Sequence, residues 1–157
     1  MVPPRFARIT VAIDGSRNSD EALAAAIDLA KKYASELTIL TVAPFVPVYM
    51  PSSGPYVAVV AAQGEVTRYQ RLVDVAVEQA QAAGLGAVTG ICREGVVVDE
   101  ILSQLEMHPT DLVVVGSRGL SAAKRLLIGS VSSALITHAP CPVLVVRDAP
   151  ATKPAAG

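Results

Sequence analysis

The sequence predicts an α/β fold: a single open, five-stranded parallel sheet with helices on both faces. Three observations predict it. Five short apolar runs, at 9–13, 37–42, 87–92, 112–115 and 143–146, alternate with stretches whose apolar residues recur at helical spacing. These runs are short and rich in β-branched residues, and 9–13 in particular reads as a strand buried on both faces. The chain has 157 residues, 52% apolar but only 4% aromatic, which suits one domain in which small aliphatic residues pack helices closely on a sheet.

Residues 9–13 form the first strand, which ends in Asp14-Gly15-Ser16. Asn18 and Glu21 stand at the spacing of a reciprocal helix cap. Ala22, Leu23, Ala26, Ile27, Ala30 and Tyr33 then recur on one helical face. The second strand spans 37–42. Beyond it Pro44, Pro47, Pro51, Ser52, Ser53, Gly54 and Pro55 predict a loop without regular structure. A loop of this kind, leaving a strand end, is either a tolerated insertion or a lid or partner contact. Residues 57–62 extend the loop or open the next helix.

Tyr69, Leu72, Val73, Ala76, Ala80 and Ala83 keep one face of the second helix apolar, and Gly84 stands at its C-terminal cap. The third strand follows at 87–92, and Gly95 turns the chain into a short helix marked by Val97, Ile101, Leu102 and Leu105. That helix stops near His108-Pro109, where His108 reads as a polar helix end. Residues 112–115 form the fourth strand, 130–137 the fourth helix and Val143–Val146 the fifth strand. Residues 1–147 are expected to make one domain, and 148–157 a disordered tail.

A formal net charge of −1 argues against a general binder of nucleic acid or of membrane surfaces, which carry a basic excess. The N-terminal residues lack the apolar core of a signal peptide, and no apolar run reaches the roughly 20 residues that span a bilayer. A cytoplasmic location is expected. Cys92 and Cys141, isolated in or beside apolar strands, read as small buried hydrophobes.

The stretch that carries chemistry is 116–131, GSRGLSAAKRLLIGSV, which follows the fourth strand. Gly116 and Gly119 are separated by two residues, and Gly129-Ser130 follows after nine more. Glycines at a strand end let a backbone approach a phosphate, and the helix that follows presents its N–H groups and partial positive charge. This is not the P-loop, since no Lys follows Gly129, nor is it the dinucleotide fingerprint.

The pattern GxxG, nine residues, G[ST] resembles the ATP-binding motif of the universal stress protein family. Asp14-Gly15-Ser16 after the first strand, DLVVVGSRG at 111–119 and HAPCP at 138–142 stand in the same order as in that family. The resemblance runs from about Arg8 to Arg147. It implies the strand order 3-2-1-4-5 in a Rossmann-like sheet of the adenine nucleotide alpha hydrolase type. Open sheets bind ligands where the strand order reverses, so Asp14 and Gly116 are expected to face one crevice.

The residues expected to hold the nucleotide are Asp14, Gly15, Val42, Val115, Gly116, Arg118, Gly119, Gly129, Ser130, Val131 and Ser132. In the family the positions of Asp14 and Val42 contact adenine. The alternative for Asp14 is an Asx turn. Gly116 and Gly119 let the backbone pass ribose and phosphates, while Gly129, Ser130 and Val131 give amides and the Ser130 and Ser132 hydroxyls further donors. Arg118, Lys124 and Arg125 offset phosphate charge. Mg²⁺ is expected only as a companion of the nucleotide, and no residue is assigned a catalytic or metal-ligating role.

The resemblance also implies a homodimer through Val143–Val146. The chain is therefore read as an ATP-binding sensor or regulatory module of the stress response, with a protein partner the sequence does not identify. A slow ATP hydrolase and a nucleotide-free dimeric scaffold are the alternatives.

Overall fold

The computed structural model describes residues 5–49, 57–60, 63–119 and 128–147. In chain order the elements are β1 (Arg8–Ala12), α1 (Arg17–Tyr33), β2 (Glu36–Pro44), β3 (Val46–Tyr49), β4 (Val57–Val60), α2 (Gln63–Ala82), β5 (Val88–Gly95), α3 (Val97–Met107), β6 (Leu112–Gly116), α4 (Ser130–His138) and β7 (Val143–Val146). Five strands form a parallel sheet in the order β5-β2-β1-β6-β7, which is the expected 3-2-1-4-5. β1 is its centre, pairing from Arg8↔Glu36 on one side and from Ile9↔Leu112 on the other. The strand order reverses between β1 and β6.

Successive side chains point to opposite sides, and the three central strands β1, β2 and β6 are buried on both faces, whereas the outer strands β5 and β7 are partly exposed. Ile9, Val11, Leu37, Ile39, Leu112 and Val114 pack under α1 and α2. Ala12, Leu40, Val42, Val113 and Val115 pack under α3 and α4, with Ile101, Leu105 and Leu135 of those helices. This two-sided cover fixes the sheet while leaving the carboxyl ends of its strands to the connecting segments.

Three local expectations are corrected. The first helix is capped by Ser16, whose Oγ accepts from Ser19 N at 3.2 Å, and not by Asn18 with Glu21. Asn18 lies inside the helix, where its Oδ1 accepts from Ser117 Oγ at 2.9 Å. The segment after β2 is not wholly irregular: β3 and β4 pair antiparallel from Val46↔Val60 to Tyr49↔Val57. A two-stranded ribbon has only edge strands, so it tolerates Pro47, and the β-branched residues around that proline favour extension. The third sheet strand runs on to Gly95, because β2 itself continues to Pro44 and pairs with it throughout.

The rest of the loop, residues 50–56, and the expected tail, 148–157, lie outside the described residues. Gly84 has φ +99° just past α2, the left-handed conformation of a helix stop. His108 caps the C-terminus of α3, its N–H donating to Gln104 O at 3.0 Å. Cys92 and Cys141 are free thiols and only partly buried, each packed at the margin of a core cluster, and burial raises the pKa of both.

Candidate functional site

At the carboxyl end of β1 the chain makes a tight turn. Asp14 Oδ1 accepts from Ser16 N at 2.9 Å, so the Asx turn is present, and Gly15 takes φ +83°. Ser19 Oγ donates back to Ser16 O at 2.9 Å. Asp14-Gly15-Ser16 is therefore the turn that joins β1 to the N-cap of α1.

β6 ends against this turn. A Cβ on Gly116 would stand 2.8 Å from the backbone carbon and oxygen of Asn18, and one on Gly119 would stand 2.5 Å from Asp14 Oδ2. Real Cβ atoms do not approach so closely, so Gly116 is required where β6 meets the backbone of the first turn of α1, whereas a side chain at position 119 would have to displace the Asp14 carboxylate. Gly116 thus packs on the protein's own helix as well as lining the cavity described below.

Ser117, which no sequence motif singles out, is the junction of the loop. It is 2% exposed. Its N–H donates to Val146 O at 2.8 Å, its Oγ to Asn18 Oδ1, and its carbonyl accepts from Gly129 N at 2.6 Å and Ser132 Oγ at 3.1 Å. Two expectations change accordingly. The Gly129 amide is engaged within the chain, and the Ser132 hydroxyl is shared between Ser117 O and Gly129 O, each 3.1 Å away. Both residues hold the start of α4 against the β6 loop.

Gly129 is the N-cap of α4 and makes no side-chain cap. The first turn closes with Ser133 N donating to Gly129 O at 3.0 Å. The amides of Ser130, Val131 and Ser132 thus precede the intrahelical ladder, where a helix carries its partial positive charge.

These segments enclose a cavity of about 480 Å³ at the strand-order reversal, within the range of small-molecule sites. Asp14, Val42, Val115, Gly116, Arg118, Gly119, Gly129, Ser130, Val131 and Ser132 all line it. Gly15 does not; it lines a shallow depression next door, together with Asp14. Asp14 and Gly116 do share one crevice, as the topology predicts. Lys124 and Arg125 lie outside the described residues.

The cavity has two chemically different parts. Ile13, Leu40, Val42, Pro44, Val97 and Ile101 supply an apolar wall, whereas the β6 loop and the α4 terminus supply glycines, amides and hydroxyls. Among the described lining residues Arg118 is the sole cation and Asp14 the sole carboxylate. Sequence reasoning missed Ala12, Ser19, Tyr69 and most of the apolar wall. Ile13 and Pro44 could have been found as neighbours of strand ends, but Val97, Ile101 and Tyr69 read simply as the apolar faces of helices. The Tyr69 phenol is raised above its ordinary pKa, chiefly by burial, with Asp14 a smaller contributor.

Comparison with known proteins follows the same lines. A profile of the universal stress protein family matches residues 5–147. Universal stress protein YxiE of Bacillus subtilis is 38% identical over 148 residues, covering 90% of this chain and 99% of that protein. Among solved structures, universal stress protein UspA from Lactobacillus plantarum is similar with a TM-score of 0.80 at 24% identity, covering 91% of this chain and 99% of that one. A universal stress protein in complex with cAMP is similar at a TM-score of 0.67 and 25% identity, covering 92% and 98%.

Proposed function

The chain belongs to the universal stress protein family, and we propose that its cavity binds an adenine nucleotide, with ATP the expected form. One observation carries this reading. A single cavity at the strand-order reversal joins an apolar wall suited to a flat base with the open amides of α4 and a glycine-bearing loop suited to phosphates. The similar protein in complex with cAMP supports the adenine part. Mg²⁺ would come with the phosphates. Asp14 is the sole carboxylate among the described lining residues, and one of its oxygens already accepts from Ser16 N. A site so furnished favours binding with slow or no turnover.

In this reading the protein is a nucleotide-dependent regulatory module of the stress response. Nucleotide would favour one arrangement of the β6 loop and α4, and a protein partner would respond to that arrangement. A cytoplasmic location belongs to the same reading. No helix among the described residues is long and apolar enough to cross a membrane.

Two copies pairing through β7 complete the reading. β7 is an outer strand of the sheet, and Leu144 on it and Ile136 on neighbouring α4 are 37% and 53% exposed. Sedimentation equilibrium at micromolar concentration is expected to give twice the chain mass; a monomer would remove this part.

The nucleotide reading is tested by calorimetric titration of ATP, with and without Mg²⁺, into nucleotide-stripped protein and its Gly129→Arg variant. A Cβ at Gly129 would already stand 3.3 Å from Ser117 O, so a longer side chain must turn into the cavity or displace the loop. Saturable binding is expected for the wild type and none for the variant. Ligand at a hundredfold its Kd should add about 2.7 kcal/mol of stability to the wild type. Folded wild-type protein that shows neither heat nor stabilisation at millimolar ATP would overturn the reading in favour of a nucleotide-free scaffold.

A further inference from the structure

The cavity has an aromatic wall. Tyr69, on α2, is 7% exposed and is the sole aromatic among the described residues lining the cavity. It also lines the neighbouring depression, which Gly15, Arg68, Arg71, Leu72 and Val75 share. Asp14 and Tyr69 are the residues common to both, so they form the partition between cavity and depression. The Arg68 guanidinium lies over the ring, 5.5 Å from its centroid, and Arg68 lines the depression but not the cavity. The ring is therefore backed from outside by a cation.

We propose that Tyr69 is an affinity-determining contact for the nucleoside part of the ligand, closing the cavity on its Asp14 side. The inference rests on the nucleotide reading above. Its geometric basis is that the remaining apolar walls, from Leu40, Val42, Val97 and Ile101, are aliphatic. They offer a base dispersion contact but no π face, and among the described lining residues Tyr69 adds one. Arg68 behind the ring strengthens the wall, since a cation over a π face is attracted to it and helps fix its orientation. Burial favours the neutral phenol against the opposing charge of Arg68, with Glu65 and Asp14 assisting burial, so the wall carries no negative charge to repel a phosphorylated ligand. The phosphates are served elsewhere, by the β6 loop and α4, so the two contributions are separable by ligand.

The test uses adenosine, AMP and ATP as probes, titrated into stripped wild type, Tyr69→Phe and Tyr69→Leu. Leucine keeps an apolar side chain at the partly enclosed site while removing the ring. Truncating an aromatic side chain that stacks on a base typically weakens binding roughly tenfold or more. Tyr69→Leu is accordingly expected to weaken all three ligands by the same factor of about ten, and Tyr69→Phe to stay within about twofold of wild type. The protein contains no Trp, so tyrosine emission is directly observable, and its change on AMP binding in the wild type should disappear in Tyr69→Leu.

Folded Tyr69→Leu that binds all three ligands within twofold of wild type overturns the inference and leaves the nucleotide reading standing. So does a loss that grows with the number of phosphates, because Tyr69 would then act on the phosphate end. Wild-type protein that binds none of the three overturns both.

Discussion

β1 and β6 run side by side at the centre of the sheet, and their two ends are closed by opposite means. At the amino end the closure is made of long side chains at the surface. Arg8 donates its backbone N–H to Asp111 Oδ2 at 2.8 Å and its guanidinium to both carboxylate oxygens at 3.0 and 3.3 Å, while Asp111 N donates to Arg8 O at 2.9 Å. Thr10 and Thr110 hydroxyls add a bond of 3.0 Å. At the carboxyl end the closure is made by close approach and short side chains: Gly116 on the backbone of Asn18, and the Ser117 carbonyl accepting from Gly129 N and Ser132 Oγ. The first end pairs its charges off. The second holds its loops by close approach, which keeps side-chain volume out of the space between them.

If the carboxyl end depends on that close approach, adding volume there should cost more than removing charge at the other end. Gly116→Ala is the larger test. The added Cβ would stand 2.8 Å from backbone atoms of Asn18, which cannot swing aside as a side chain tip can. Overpacking of this kind costs about 1–3 kcal/mol. Urea denaturation should show it as a lowered midpoint at unchanged slope, together with weaker ATP binding. Gly86→Ala is the control, since nothing lies within 4 Å of a Cβ there and its φ is not positive. Equal midpoints for the two variants would mean that the carboxyl end is soft, and the contrast between the ends would fail.

The difference between the ends also explains what was legible in the sequence. The sheet was, because residues such as Val11, Ile39 and Val114 announce burial through short, mostly apolar runs rich in β-branched residues. The glycine spacing was legible for a related reason: a residue without a Cβ is conspicuous wherever two segments touch. What the glycines touch was not, because Gly116 meets Asn18 across 98 positions of chain, and no local pattern records that meeting. Ser117 looks like an ordinary polar residue until its carbonyl is seen to take the Ser132 hydroxyl that the sequence assigns to the ligand. Val97, Ile101 and Tyr69 follow helical periodicity whether they face a core or a cavity, so periodicity could not separate the two. The ribbon of β3 and β4 was hidden by prolines whose meaning depends on whether the strand has one neighbour or two.

The smaller test lies at the amino end. The side-chain hydrogen bond from Arg8 holds the Asp111 carboxyl below its ordinary pKa, with burial opposing and the backbone bonds and charge of Arg8 assisting. A carboxyl whose pKa is depressed on folding contributes stability that is fully present above the unfolded value, about 3.9, and is lost as pH falls through the folded value. Asp111→Asn removes the charge and should therefore lower stability slightly at pH 7. The gap between wild type and variant should close on acidification below the ordinary carboxylate range. It should also narrow in high salt, because the pair stands at the surface. ATP affinity at pH 7 should be unchanged, since the fork lies at the opposite end of both strands from the cavity. A stability gap that persists in strong acid would show that Asp111 acts through shape and not charge. A drop in ATP affinity would show that the two ends of β1 and β6 are mechanically coupled, and that the amino-end fork is part of what holds the cavity open.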